Sequence, residues 1–197
     1  MTSVLRQKTV LANAFCVFRR LLKNRQGVGA IEFALIAPLL LMVYLSAFEI
    51  SVGMTVSRKV ARASSTVSDL ITQKTTVSKD ELATMLNVVQ SILAPYQGTG
   101  LTMKITGIAV STTGAATVAW SWNETGAAPY TKGSAVTLPP ELKTTDTFLV
   151  RTELVVPHDL FLFMPSPEAH SLRKLNLSQT SYFRQRVGNA ITCGTCT

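Results

Sequence analysis

Histidine and cysteine are scarce in this chain, with two and three among 197 residues. A closed zinc site takes four ligands. Neither histidine stands at ligand spacing from Cys193 and Cys196, so no metal is expected. A phosphate-cradling glycine loop and an H-E-x-x-H helix are both missing. No nucleophile motif surrounds any serine, and His158-Asp159, beside Pro157, reads as a turn in a loop and not as a catalytic pair. The sequence therefore offers no catalytic set and requires no cofactor. Two further absences concern charge. No acidic residue precedes Gly27, and no charged residue of either sign lies between Phe33 and Phe48.

The first of these absences locates the basicity. Net charge is +8, but Arg6, Lys8, Arg19, Arg20, Lys23 and Arg25 all precede Gly27. The remaining 13 cations face 11 anions, so the rest of the chain is nearly neutral. Residues 1–27 form a basic leader, and nucleic acid is not expected as a partner. Leu11, Phe15, Phe18 and Leu22 recur at helical steps within it, which suits either a helix on a membrane surface or a leader without fixed structure.

The second absence marks a membrane segment. From Val28 to Val52 the charged residues are Glu32 and Glu49. Twenty-five helical residues span roughly 38 Å, against a hydrocarbon core of about 30 Å. One spanning helix over about 28–52 is expected. Cations concentrate on its N-terminal side, with Arg58, Lys59 and Arg62 the nearest beyond it, so the N-terminus is expected in the cytoplasm and the chain past about residue 53 outside. A carboxylate such as Glu32 near the start of a span costs several kcal/mol if it is buried ionised and unpaired. Taken alone, Glu32 reads as sitting at the inner membrane interface, where the cost falls away, because the span can start at Phe33.

Helical periodicity continues past the span. Val56, Val60, Ala63, Val67 and Leu70 follow steps of four, three, four and three, a stripe suited to covering a sheet. One helix over 28–73 would be roughly 69 Å long. Pro38 lies inside it and removes one backbone hydrogen bond, which membrane helices tolerate. Ser78-Lys79-Asp80-Glu81 matches a capping box and opens a second helix with Leu82, Met85, Leu86, Val89, Ile92 and Leu93 on its buried side. Pro95 ends it, and Gly98 and Gly100 make a turn.

Strand signals follow. Leu101, Met103 and Ile105 alternate with polar residues, as do Val118, Trp120 and Trp122, with Gly114 at the turn of a hairpin. Phe148 to Val156 is a further strand, and Leu175 to Phe183 the last. The tryptophans read as core. Residues 74–197 are thus expected to form an α+β domain, a helix or two against an antiparallel sheet of about four strands. The apolar run Leu160 to Met164 reads as core, and His170 has no evident partner. Cys16 falls in the leader, whereas Cys193 and Cys196, outside the membrane, suit a disulfide closing a very small loop.

Gln26-Gly27-Val28-Gly29-Ala30-Ile31-Glu32-Phe33 resembles the processing site of prepilins of the Tad (Flp, type IVc) pilus system. The following A-L-I-A-P-L-L-L, with its Ala37-Pro38 step, resembles the TadE-like minor pseudopilins. The resemblance is strong over about residues 20–65. Arg184-Gln185-Arg186, after an aromatic strand, resembles the family's C-terminal arginine pair, although a proline often stands where Gln185 does. The resemblance implies a prepilin peptidase that cuts after Gly27, leaving Val28 as first residue, Glu32 as fifth and Phe33 as sixth. It implies subunit packing through Glu32 and Pro38, with Glu32 pairing the new amine of a neighbour. Implied partners are other Tad minor pilins, the major Flp pilin and an inner-membrane assembly platform. The implied location is the bacterial inner membrane with a periplasmic C-terminal domain, and the implied task is assembly or initiation of an adhesive pilus. Two alternatives are an uncleaved, signal-anchored periplasmic scaffold and a secreted enzyme. The second is disfavoured because the small-x-small site Ala61-Arg62-Ala63 lies too far past the apolar segment.

Overall fold

The computed structural model describes residues 27–96, 100–160 and 174–196. The leader with its Leu11 to Leu22 face and Cys16, Gly98, Phe161 to Met164, and His170 lie outside the described residues. The chain divides into two compact units, residues 1–48 and 49–197.

Helix α1 (Val28–Thr72) runs unbroken for 45 residues and takes Pro38 in its interior. Two of its hydroxyls are satisfied within the helix. Ser46 Oγ donates to Met42 O at 2.8 Å, and Thr55 Oγ1 to Ser51 O at 2.9 Å. Such back-bonding satisfies these two hydroxyls without a partner outside the helix.

The second unit is built on the C-terminal part of α1. Val56, Val60, Ala63, Val67 and Ile71 are buried, and so are Ser64, Ser68 and Thr72. The expected stripe holds through Val67. Its next step falls on Ile71, with Leu70 half-buried, because the buried face takes in Ser64, Ser68 and Thr72 beside the stripe and Ile71 lies on that side of it.

The elements after α1 are β1 (Thr76–Val77), α2 (Lys79–Leu93), β2 (Thr102–Val110), β3 (Ala116–Asn123), a short 3-10 turn (Pro140–Leu142), β4 (Thr147–Asp159), β5 (Lys174–Arg184) and β6 (Thr192–Cys193). The main sheet is antiparallel, in the order β3-β2-β4-β5. The fold is α+β, with a long apolar N-terminal helix, a second helix and a four-stranded antiparallel sheet. The pairs Ile105 with Trp122, Ile105 with Thr152 and Thr152 with Ser181 define one row across all four strands. That row faces α1. Ser64 Oγ donates to Thr152 O at 3.1 Å and to Ser181 Oγ at 2.9 Å, and Ser68 Oγ donates to Thr152 Oγ1 at 2.8 Å. Around this hydroxyl seam Met103, Ile105, Trp120, Trp122, Leu154 and Leu82 close the apolar core.

Helix α2 begins as its sequence predicts. Ser78 caps it, accepting from Glu81 N, and the Glu81 carboxylate accepts from Ser78 N at 3.0 Å. Lys74 Nζ meets Glu81 Oε1 at 2.8 Å, and that bond, with the Ser78 amide, holds the Glu81 carboxyl below its ordinary range. At the other end Lys59 Nζ reaches Ile92 O at 3.0 Å and Ala94 O at 2.6 Å, so α1 caps the carbonyl end of α2. Replacing Ser78 by alanine should lower domain stability by about 1 kcal/mol in urea unfolding. The Glu81 part of the cap has a depressed folded pKa. Its contribution is present above the ordinary carboxylate pKa and fades as pH falls through the folded value, so the Glu81→Gln difference should shrink on acidification.

The C-terminal segment straps this arrangement. Arg186 N donates to Thr72 O at 3.0 Å, and Arg186 Nη2 lies 2.7 Å from Asp69 Oδ1 at the end of α1. β6 pairs in parallel with β1, and Thr195 Oγ1 accepts from Lys79 N at 3.1 Å. Cys193 and Cys196 are disulfide-bonded, with Cα atoms 5.5 Å apart.

The expectation for His158-Asp159 is overturned. Both residues belong to β4, opposite Leu175 and Lys174 of β5. Pro157 had suggested a loop. On its other side, however, β4 is paired only as far as Val155, opposite Thr102, so Pro157 has a neighbour on one side alone. Proline is tolerated where a strand borders no partner. Successive strand side chains point to opposite faces, so His158 and Asp159 do not form a catalytic pair.

Candidate functional site: the exposed N-terminal helix

Gly27 and the first turns of α1 hold the residues expected at the processing site. Val28 is the first α-helical residue, and Gly27 directly precedes it. Val28 and Glu32 lie one turn apart on one face, separated by roughly 6 Å along the axis. Phe33, next to Glu32, is 71% exposed.

What distinguishes this stretch is that, among the described residues, its apolar side chains have no partner within their own unit. Ile31, Leu35, Ile36, Leu39, Leu40, Leu41, Met42, Val43, Tyr44, Leu45 and Phe48 are all exposed, on every side of the helix. A fully buried side chain of this size is worth about 1.5–3 kcal/mol relative to exposure, so a run of eleven requires a non-aqueous covering. By length and composition α1 is able to cross a membrane, and none of its most apolar window is buried within the chain. Pro38 is exposed in the middle of this stretch, and its ring displaces the donor that the Ala34 carbonyl would otherwise receive. Glu32 is exposed, and among the described residues it makes no ion pair.

Glycine at 27 and 29 has no internal explanation. A Cβ built on either would meet no heavy atom within 4 Å, and neither has the positive φ that favours glycine. Among the described residues, a larger side chain at 27 would meet open space.

Among the described residues no group of three His, Cys, Asp or Glu side chains could hold a metal ion. The outer sheet face carries Arg151 against the Tyr130 ring at 4.7 Å, with Tyr130 Oη donating to Glu153 Oε2 at 2.7 Å. Burial first, and then this bond, raise the Tyr130 pKa above its ordinary value. A cleft of about 210 Å³ beside it is lined by Lys104, Glu153, Ser178 and Thr180 among others. It is smaller than the roughly 300–1,000 Å³ of ordinary small-molecule sites.

The sequence missed the contacts that tie α1 to the domain. Ser64 and Ser68 stand one position from Ala63 and Val67 on the stripe, and that spacing was the available signal. Arg186 was marked only by resemblance, and its contact is with Asp69.

Residues 27–69 match the family described as TadE-like protein. The matched stretch starts at Gly27, contains the whole exposed apolar segment and ends within the stripe that packs on the sheet. No curated protein and no solved structure matches the chain.

Proposed function

We propose that this chain is a minor pseudopilin of a Tad (Flp) pilus system. Helix α1 holds it in the inner membrane with the domain in the periplasm. A prepilin peptidase cuts after Gly27, and the mature subunit takes part in assembly or initiation of a pilus used for surface adhesion. Its partners are the peptidase, other Tad minor pilins, the major Flp pilin and the inner-membrane assembly platform. One observation carries this reading: a TadE-like segment in which a long apolar helix is bare on every side and holds a single carboxylate one turn from Val28. A lipid-only anchor has no use for that carboxylate. A helix that moves from lipid into a bundle of like helices does, because cleavage would create an amine at Val28 for a neighbour's Glu32 to meet.

The reading assigns each processing residue a role. Gly27 fits the peptidase, since the fold itself does not need it. Phe33 and Pro38 shape the packing surface beside Glu32. Cys193 and Cys196 close the tail and do no redox chemistry.

N-terminal sequencing of the protein extracted from membranes should give Val28 as first residue. A Gly27→Leu variant should keep its leader and run more slowly on a gel, with the unfolding midpoint of the domain unchanged. An intact N-terminus in the wild type would favour an uncleaved periplasmic scaffold instead.

A further inference from the structure

The two edges of the sheet are treated differently. The outer edge of β3 is closed by the chain itself. Val118 N donates to Ser134 O at 2.9 Å, Gly133 N to Val118 O at 2.7 Å and Val136 N to Ala116 O at 2.9 Å, and Thr117 bridges to Ala135. The outer edge of β5 has no such cover among the described residues. All 11 residues of β5 pair with β4, so alternate residues turn their N–H and C=O groups outward along its full length.

The side chains of β5 say what this edge accepts. Ser181 faces α1, which places Leu175, Leu177 and Gln179 on the same face by strand alternation. Leu175 is 46% exposed and Leu177 half-buried, so the core face of the sheet is incomplete at this end. The opposite face carries Lys174 and Arg184 at its two ends and no acidic residue between them. Asp159 stands opposite Lys174 on β4, whereas Arg184 stands opposite Leu149. A second copy is a poor occupant. Antiparallel self-pairing centred on Gln179 would set Lys174 against Arg184 twice, and like charges directly opposed are destabilising.

We infer that the β5 edge is a docking site for an extended segment of a different chain, which adds a fifth strand to the sheet. That segment has apolar residues on the side of Leu175 and Leu177 and a carboxylate near each end, opposite Lys174 and Arg184. Backbone bonds would supply affinity, and the end charges would supply partner choice and register. The inference does not depend on cleavage or on the membrane helix.

The test uses the full-length chain in detergent micelles and an 11-residue peptide of alternating valine and threonine with glutamate at both ends. A second peptide carries lysine at both ends. The glutamate peptide should bind about ten-fold more tightly at low salt, and hydrogen exchange should show new protection on the outward amides of β5. A Lys174→Glu/Arg184→Glu double variant should reverse the preference. Arg184→Glu alone should promote dimers, because self-pairing would then set Lys174 against a carboxylate. Equal binding of the two peptides, or none, would overturn the inference. So would outward β5 amides already protected in the free monomer, or a wild-type dimer joined through β5.

Discussion

Replacing Gly107 by valine should severely destabilise the second unit. Gly107 sits in the middle of β2, paired with Trp120 on one side and Val150 on the other. A Cβ placed there would lie 2.5 Å from Trp120 Cε2 and Nε1 and 2.8 Å from Phe148 Cζ. Neither ring is free to move away. Trp120 is buried, and its Nε1 donates to Ile191 O at 2.7 Å, the bond that seats the C-terminal strap. Overpacking a core costs about 1–3 kcal/mol, and losing a buried hydrogen bond adds about 1–3 more. Alanine at 107 should therefore cost roughly 3 kcal/mol, and valine more, out of a total of about 5–15 for a domain. Urea unfolding followed by tryptophan fluorescence would measure it. Wild-type stability in Gly107→Ala would refute the close approach of Trp120.

Gly107 also shows where reading the sequence stops. A glycine within a strand pattern signals a bulge or a close approach, and both occur here. The β2–β3 register shifts between Gly107 and Ile108, which brings Trp120 rather than Ala119 opposite the glycine. The alternation of Met103 and Ile105, and of Val118, Trp120 and Trp122, was enough to give the hairpin, because period-2 burial is local. The bulge depends on which residues meet across the turn, and that is not local. The same division holds in α1. The apolar span, the stripe through Val67 and the Ser78 cap were legible because each is set by residues within a turn or two. The use of Lys59 to cap α2, the Ser64–Thr152–Ser181 seam and the Arg186–Asp69 pair join residues 33 to 117 positions apart. The place of Ser64 and Ser68 beside the stripe signals burial but not which distant groups they meet. Pro157 misled in the opposite direction. Its local preference for a loop was overridden because β2 ends before reaching it. The proposed processing residues rest on another kind of signal: the spacing from Gly27 to Glu32 and Phe33 is a short linear pattern that needs no tertiary contact.

Replacing Glu32 by alanine should leave the membrane helix and the domain intact and still abolish pilus assembly. Glu32 is exposed, and the buried core begins at Val56, so no contact with that core is lost. Removing a charge from an apolar helix only eases its insertion. The loss should appear where helices meet. Opposite charges 4 Å apart attract by about 4 kcal/mol at an effective dielectric of 20, a gain that desolvation largely offsets. In the proposed assembly the pair would therefore contribute register more than stability. Deleting one member is different, because it leaves the partner amine buried without compensation, at about 3–5 kcal/mol per contact. That corresponds to roughly a hundred-fold or greater loss of association per subunit. Electron microscopy and shearing of surface pili should show near-complete loss in Glu32→Ala, with membrane fractionation and urea unfolding unchanged. Glu32→Gln separates the two contributions of the side chain. It keeps the size and hydrogen-bonding capacity but not the charge, and a loss equal to that of alanine would assign the effect to charge. Normal piliation in Glu32→Ala would leave the carboxylate without a role in packing, and the helix would then be an anchor alone.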